Sequence, residues 1–312
     1  MKLKTQIAEW LYLSPIPVDL TEKLLFFATH GYWPNLASPK NFAEKIVWRK
    51  TNRVSSIPLA ELSDKLAVRN YVKRQIGESH LIPLLFSGPK ISAEELLELG
   101  DDIVVKLNND SRSVEFIEEN TLEKASEISE RMNRLIRRDF GKRSNQWWYS
   151  DIKPMVIVEE RLKDWNDSAP VEYQLFLFRK PTESDPTVLF SISIGRGTEN
   201  HRLNYFDQNG DEFLFNDQRI SSKYRNGGFP FPDPEKCSEL VRVADELSKG
   251  IDHVRVDLYL AKGKIYFGEL TFSTGSGRIK WNPVEFDSYL GSLWDLDVDL
   301  SLIHISEPTR PY

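Results

Sequence analysis

Cysteine is nearly absent: Cys237 is alone in 312 residues, so no intrachain disulfide can staple the fold. It falls in a stretch read as helix with no activating cation or base in the neighbouring sequence, which suits a buried inert thiol better than a nucleophile. Histidine is equally sparse. His30, His80, His201, His253 and His304 show neither metal-site spacing nor the pattern of a nucleophile with its base. No run of about 18 apolar residues occurs, which excludes a membrane-spanning helix. Met1-Lys2-Leu3-Lys4 has the charge of a secretory start, but Gln6 and Glu9 interrupt the apolar run an export signal needs. The expected location is therefore the cytoplasm. Internal repeats and low-complexity tracts are missing as well.

What remains is an ordinary globular composition, 40% hydrophobic and 28% charged, with material for two lobes and substantial cores. The net charge of −6 argues against a general nucleic-acid binder. Residues 1–80 hold 12 Lys and Arg against 7 Asp and Glu. Such a basic quarter could face an anionic substrate or membrane surface, and a solvated helix face explains it equally well.

Punctuation separates the elements. Helices are expected at about 19–30 and 41–50, broken by Gly31-Tyr32-Trp33-Pro34 and Ser38-Pro39, and a third from Ser63 to Gly77 with Leu66, Val72 and Ile76 inward. Ser92 with Glu95 forms a capping box for a short helix closed by Gly100. Residues 102–107 read as a strand, and 121–139 as an amphipathic helix through Ala125, Ile128, Met132, Leu135 and Ile136. Strands are expected at about 155–162, 171–178 and 187–194. Asp233-Pro234 opens a helix that Gly250 closes. Helices mixed with mainly antiparallel strands point to an α+β fold.

The most informative stretch is His253-Val254-Arg255-Val256-Asp257-Leu258-Tyr259-Leu260, followed by Lys264-Ile265-Tyr266-Phe267-Gly268-Glu269-Leu270-Thr271-Phe272. Two β-branched and aromatic strands each carry a carboxylate inside an apolar run. Parity decides whether the two acids meet. A two-residue loop, Lys262-Gly263, would set Asp257 and Glu269 on opposite faces. A three-residue loop with Gly263 in a left-handed bulge pairs Leu260 with Lys264 and gathers Arg255, Asp257, Glu269 and Thr271 on one face, and this is the expected arrangement. Paired carboxylates of this kind suit a hard cation such as Mg²⁺ when phosphate and water complete its shell, with Arg255 neutralising phosphate oxygens. A plain cross-strand salt bridge is the alternative.

Two lysines join this picture. Lys106 leaves its strand into the polar loop Asn108-Asn109-Asp110-Ser111-Arg112-Ser113, where ammonium and backbone N–H groups can face phosphates. Lys65 lies in Ser63-Asp64-Lys65-Leu66-Ala67-Val68-Arg69, at the start of the third expected helix. Either lysine alone reads as solvated surface; with the acidic hairpin they suggest a nucleotide.

Asp64-Lys65, Lys106 with its loop, Val156-Ile157-Val158-Glu159-Glu160-Arg161-Leu162, Arg255-Val256-Asp257 and Gly268-Glu269-Leu270-Thr271 follow the order and spacing of the ATP-grasp superfamily. Pro39-Lys40-Asn41-Phe42-Ala43-Glu44-Lys45-Ile46, Asp151-Ile152-Lys153-Pro154 and Tyr266 to Phe272 resemble more narrowly the TupA-like ATP-grasp family, named for a teichuronopeptide-biosynthesis protein, over roughly residues 39–299. The resemblance implies two α+β lobes clamping ATP, with an N-terminal helical extension. It divides the chain into a helical region at 1–60, an N-lobe with the phosphate loop at 61–154 and a C-lobe with the adenine pocket and metal hairpin at 155–299. By matching position it implies that Lys65 and Lys106 contact the ATP phosphates under a lid formed by Asn109, Ser111 and their neighbours. Glu159, Glu160 and Leu162 would line the adenine and ribose pocket, Asp257, Glu269 and Thr271 would hold Mg²⁺, and Arg255 would stabilise the transferring phosphoryl group. The implied reaction is ligation of a carboxylate to an amine or related nucleophile through an acyl phosphate, in making a cell-surface polymer, with a small-molecule or polymer-precursor substrate.

The chain departs from the superfamily pattern at the glycine-poor phosphate loop, where Arg112 stands, at Thr271 in place of an amide ligand, and at Gln174 in place of a lysine. A nucleotide binder without catalysis is one alternative. A sugar-nucleotide glycosyltransferase using Asp295-Leu296-Asp297 is another. Trp147-Trp148-Tyr149 could stack a sugar or pack between lobes, and Gly275-Ser276-Gly277 could bind a substrate anion or simply turn the chain. Residues 300–312 resemble a translated sequencing adapter and are read as a non-native tail.

Overall fold

A computed structural model describes residues 2–53, 55–111, 113–194, 202–215, 218–219 and 231–296. Asp297, the expected tail, His201, His304 and Arg112 lie outside them. Three helices lead: α1 (Lys2–Leu13), α2 (Val18–His30) and α3 (Phe42–Thr51). Gly31, with φ 83°, ends α2 by donating to Phe27 O, a left-handed cap that costs glycine nothing. Glu44 starts α3 by reaching back to the Asn41 N–H at 3.2 Å.

These helices are pinned to the rest by a buried polar group. Glu22 accepts from Tyr12 Oη at 2.6 Å and Asn145 Nδ2 at 2.9 Å, and pairs with Lys50 Nζ at 2.5 Å. Burial opposes its charge, but Lys50 and Arg278 overcome that and keep the carboxyl below its usual range. Four separate segments therefore meet on one carboxylate.

Two short helices follow, α4 (Leu59–Ser63) and α5 (Val68–Ile76), where one helix from Ser63 to Gly77 was expected. Asp64 explains the break. Its Oδ1 accepts from the Leu66 N–H and from Asn108 Nδ2, both at 2.8 Å, so a local turn displaces the helix and leaves Lys65 in that turn.

The first sheet contains β1 (Leu84–Gly88), β2 (Ile103–Leu107), β3 (Val114–Ile117) and β4 (Val156–Glu160), ordered β1-β4-β2-β3 with every pair antiparallel. Helices α6 (Ala93–Glu98), α7 (Leu122–Leu135) and α8 (Phe140–Ser144) lie between these strands in sequence. The capping box of Ser92 and Glu95 is present, with bonds of 2.8 and 3.1 Å. Ile103, Val105 and Leu107 of β2 are buried with Leu96, Ala125 and Met132, so alternation turns Val104 and Lys106 to the opposite face. β4 lies beyond residue 154 yet pairs inside this sheet.

The second sheet holds β5 (Val171–Phe178), β6 (Thr187–Ile194), β7 (Arg202–Phe206), β10 (His253–Ala261) and β11 (Lys264–Thr271), in the order β11-β10-β5-β6-β7 and again antiparallel. Between them come a two-residue pair, β8 (Leu214–Phe215) with β9 (Gln218–Arg219), and α9 (Pro234–Ser248). After them comes α10 (Glu285–Leu293). One face of this sheet packs Leu175, Phe190, Val256 and Leu258 on Leu240, Val243 and Leu247 of α9. The other face packs Phe176 and Tyr205 on Phe42, Trp281 and Phe286, and beside that aromatic group runs a polar strip. No helix among the described residues is long and apolar enough to cross a membrane.

Candidate active site

The acidic hairpin places its charged residues on one face, by a different device from the one expected. The loop has two residues, with Lys262 at φ 51° and Gly263 at φ 76°, and Ala261 pairs with Lys264. That loop alone would separate the acids. A bulge at Gly268 corrects the parity: Leu258 pairs with Phe267, while Asp257 pairs with Glu269 and Arg255 with Thr271. Glycine is required there, since a Cβ would lie 2.9 Å from Asp257 O and 3.0 Å from the Tyr259 ring.

On this face Arg255 holds Asp257 with both arms of its guanidinium, Nε to Oδ1 and Nη2 to Oδ2, each at 2.6 Å. The same Nη2 reaches Thr271 Oγ1 at 3.0 Å and Glu269 Oε1 at 3.3 Å, and the Thr271 hydroxyl donates to Glu269 at 3.1 Å. Across the sheet Asp257 stands opposite Gln174, which stands opposite Ser191. Gln174 Nε2 donates to Glu172 Oε1 at 3.4 Å. Asp257, Glu172, Gln174 and Ser191 are all buried. Burial pushes the Asp257 carboxyl up to about 7 against the pull of Arg255, with Glu269 and Glu172 adding to the rise. Burial opposes the Arg255 charge too, but the same three carboxylates keep its affinity for the proton above the ordinary arginine range.

The lysines come from the other side. Lys106 Nζ meets Glu159 Oε2 at 2.5 Å, and Arg69 Nη1 meets Oε1 of the same carboxylate at 3.0 Å. Lys65 donates its N–H to Asn108 O at 3.1 Å and its ammonium to Asp110 O. Burial lowers the Lys65 pKa, opposed by Glu269 first and by Asp110 and Glu159, while Lys106 reinforces it. Lys65 thus stands in the field of Glu269 from the second sheet and of Lys106 and Glu159 from the first. Within the loop, Asp110 Oδ1 accepts from the Ser113 N–H at 2.9 Å, and Asn108 ties the turn at Asp64 to Lys153 O and to the Met155 N–H.

The structure therefore brings together Lys65, Lys106, Glu159, Arg255, Asp257, Glu269 and Thr271. Asn109 is buried in the loop and Ser111 is exposed. Glu160 is exposed, with its N–H given to Pro83 O at 3.1 Å, and Leu162 follows β4 half-buried. Asp295 lies apart from this group, near Lys45 at the end of α10. His253 is fully buried among Phe42, Phe178 and Trp294, and burial lowers its pKa to about 3, so it stays neutral as a packing residue.

Sequence reasoning missed Arg69 and Glu172, and named Tyr149 only within an aromatic run that could stack a sugar or pack between lobes. Arg69 follows Lys65 by four residues and shares its segment, a signal that was available. Glu172 and Gln174 alternate on an otherwise apolar strand, which marks a shared face. Tyr149 lies beside Ser63, and burial with the nearby Glu269 raises its pKa, so its hydroxyl stays protonated between the two halves of the site.

Oxygen donors of Asp257, Glu269 and Thr271 suit a hard divalent cation, and three carboxylates surrounding one guanidinium leave negative charge that such an ion would balance. Among the described residues no ready-made cluster of three His, Cys, Asp or Glu ligands occurs. Phosphate or water oxygens would have to complete the shell.

No curated protein matches the chain. Among solved structures, an L-amino acid ligase from Bacillus licheniformis is similar at 14% identity and a TM-score of 0.45, with 78% of this chain and 50% of that one covered. D-Alanine-D-alanine ligase from Helicobacter pylori gives 16% identity and 0.39, covering 75% and 61%. A biotin carboxylase complex from Campylobacter jejuni gives 13% and 0.42, covering 78% and 49%. The chain thus spans about half to three-fifths of the length of these proteins. A family model described as TupA-like ATPgrasp matches residues 44–295, well over half of the sequence, and the chain belongs to the TupA-like ATP-grasp family.

Proposed function

We propose that the chain is an ATP- and Mg²⁺-dependent ligase that joins a carboxylate to an amine or related nucleophile through an acyl phosphate, acting on precursors of a cell-surface polymer. The observation that carries this reading is the convergence on Lys65, which stands in the field of Glu269 from the second sheet and of Lys106 and Glu159 from the first. A triphosphate with its metal has the complementary distribution of charge.

In this reading Lys65 and Lys106 neutralise phosphate oxygens, with Glu159 and Arg69 fixing the Lys106 ammonium before the ligand arrives. Asp257, Glu269 and Thr271 hold Mg²⁺, which supplies charge neutralisation to the phosphates when bound. Arg255 is pre-aligned by Asp257 and offers its Nη2 to the transferred group. The protonated Tyr149 hydroxyl helps close the site to water, which protects a hydrolysable intermediate. No protein nucleophile is required, in keeping with the buried Cys237 and the neutral His253.

The test is ADP release from pooled cell-wall acids and amines, with and without Mg²⁺ and with hydroxylamine present to trap an acyl phosphate. Mg²⁺-dependent ADP release with hydroxamate formation supports the reading. Binding of a UDP-sugar in preference to ATP contradicts it.

A further inference from the structure

On the helix side of the first sheet a cavity of about 210 Å³ opens between the β2–β3 loop, the C-terminal end of α7, α8 and α1. Its walls carry three arginines, Arg131, Arg138 and Arg143, and two carboxylate residues, Glu9 and Asp110. Arg143 pairs with Glu9 and Arg131 with Glu115. Asp110 spends its Oδ1 on the Ser113 N–H and hydroxyl. Arg138, exposed just past α7, has no side-chain partner among the described residues. The space far exceeds the ~10–15 Å³ that one water needs.

A second observation points the same way. Asn109 also lines the cavity and is only 3% exposed, yet its carboxamide has no hydrogen-bond partner among the described residues. With no protein partner, its polar atoms are left to a ligand or ordered water in the cavity. The alternation of β2 keeps this cavity apart from the proposed nucleotide cleft. Leu107 faces the cavity, Lys106 faces the cleft, and Asn109, Asp110 and Ser113 of the following loop line the cavity side.

We propose that this cavity is a second anion site that takes a small oxyanion, phosphate or carboxylate, between Arg138, Arg143 and the Asn109 carboxamide. Guanidinium forks match the paired oxygens of either group, and the amide N–H₂ adds a neutral donor. Leu107, Leu135 and Phe140 give the pocket a dry wall that strengthens those bonds.

The test is calorimetric titration of the full chain with inorganic phosphate and, separately, with succinate, in the wild type and in Arg138→Glu. A non-hydrolysable ATP analogue with Mg²⁺ is titrated in parallel. At least one oxyanion should bind the wild type, and Arg138→Glu should weaken it tenfold or more while nucleotide affinity and the thermal midpoint of the free chain stay unchanged. Stronger binding of phosphate or of succinate identifies the group. Equal oxyanion affinity in both chains, binding of neither oxyanion by the wild type, or loss of oxyanion and nucleotide together overturns the proposal. Oxyanion binding by a wild type that ignores the ATP analogue would remove the nucleotide reading and leave this site standing.

Discussion

Asp257→Asn should make the empty protein more stable at alkaline pH and inactive at every pH. Burial pushes the Asp257 carboxyl up to about 7 in the folded chain, from an ordinary 3.8. At about 1.4 kcal/mol per pH unit, that difference makes the ionised form roughly 4 kcal/mol worse placed in the fold than in the unfolded chain. Because the folded chain holds the proton more tightly, the group's contribution is complete below pH 3.8, falls as pH rises to about 7, and is lost above that. Asparagine is neutral throughout. Relative to wild type it should gain about 4 kcal/mol at pH 8 but only about 2 kcal/mol at pH 5. Its amide N–H₂ faces one arm of Arg255, a mismatch of about 1–3 kcal/mol at either pH, so the net gain is roughly 1–3 kcal/mol at pH 8 and near zero at pH 5. The change between the two pH values, about 2–3 kcal/mol, is independent of that mismatch. Urea unfolding without nucleotide or metal measures it, and ADP release measures the lost function. An identical stability difference at both pH values, or a loss of stability at pH 8, would refute the reasoning.

Gly268→Val should strain the bulge by about 1–3 kcal/mol and misalign Asp257 with Glu269, so turnover should fall far more than the thermal midpoint; wild-type turnover would show that the bulge does not set the site. Glu22→Ala leaves Lys50 buried without its carboxylate and should cost about 3–5 kcal/mol in urea unfolding, whereas a change below 1 kcal/mol would mean the network does not hold the helical extension. Lys65→Met should weaken ATP binding tenfold or more in calorimetry, and an unchanged affinity would remove Lys65 from the phosphate site. Mg²⁺ competes with the Asp257 proton, so metal-dependent ATP affinity should fall as pH drops below about 7, and a flat profile from pH 8 to 5.5 would contradict that linkage.

Long apolar strands announced themselves. Residues 171–178 and 187–194 are strands over the expected spans because β-branched and aromatic runs of eight residues fit little else. Short elements did not: β1 acquires its identity from β4, a partner distant in sequence, β3 and β7 from the longer strands they follow, and α10 from packing on α3. The helix expected from Ser63 was split because Asp64 is held by Asn108, a contact across 44 residues that no local pattern reveals. Parity of the acidic hairpin was reached through the wrong element. Gly263 was taken as the bulge, but it completes a two-residue turn, and Gly268 supplies the extra residue where Tyr259 and the Asp257 carbonyl leave no room for a side chain. The grouping of Lys65 and Lys106 with that hairpin was expected from the three features taken together and from the resemblance, since neither lysine differs from a surface lysine by its own neighbours.

The most direct measurement is the affinity of the wild-type chain for a non-hydrolysable ATP analogue, titrated with and without Mg²⁺ beside Glu269→Gln. The account predicts tight binding that weakens at least tenfold when either Mg²⁺ or the Glu269 charge is removed, with no further loss when both are absent. Affinity indifferent to the metal and to Glu269, or absent altogether, would contradict it.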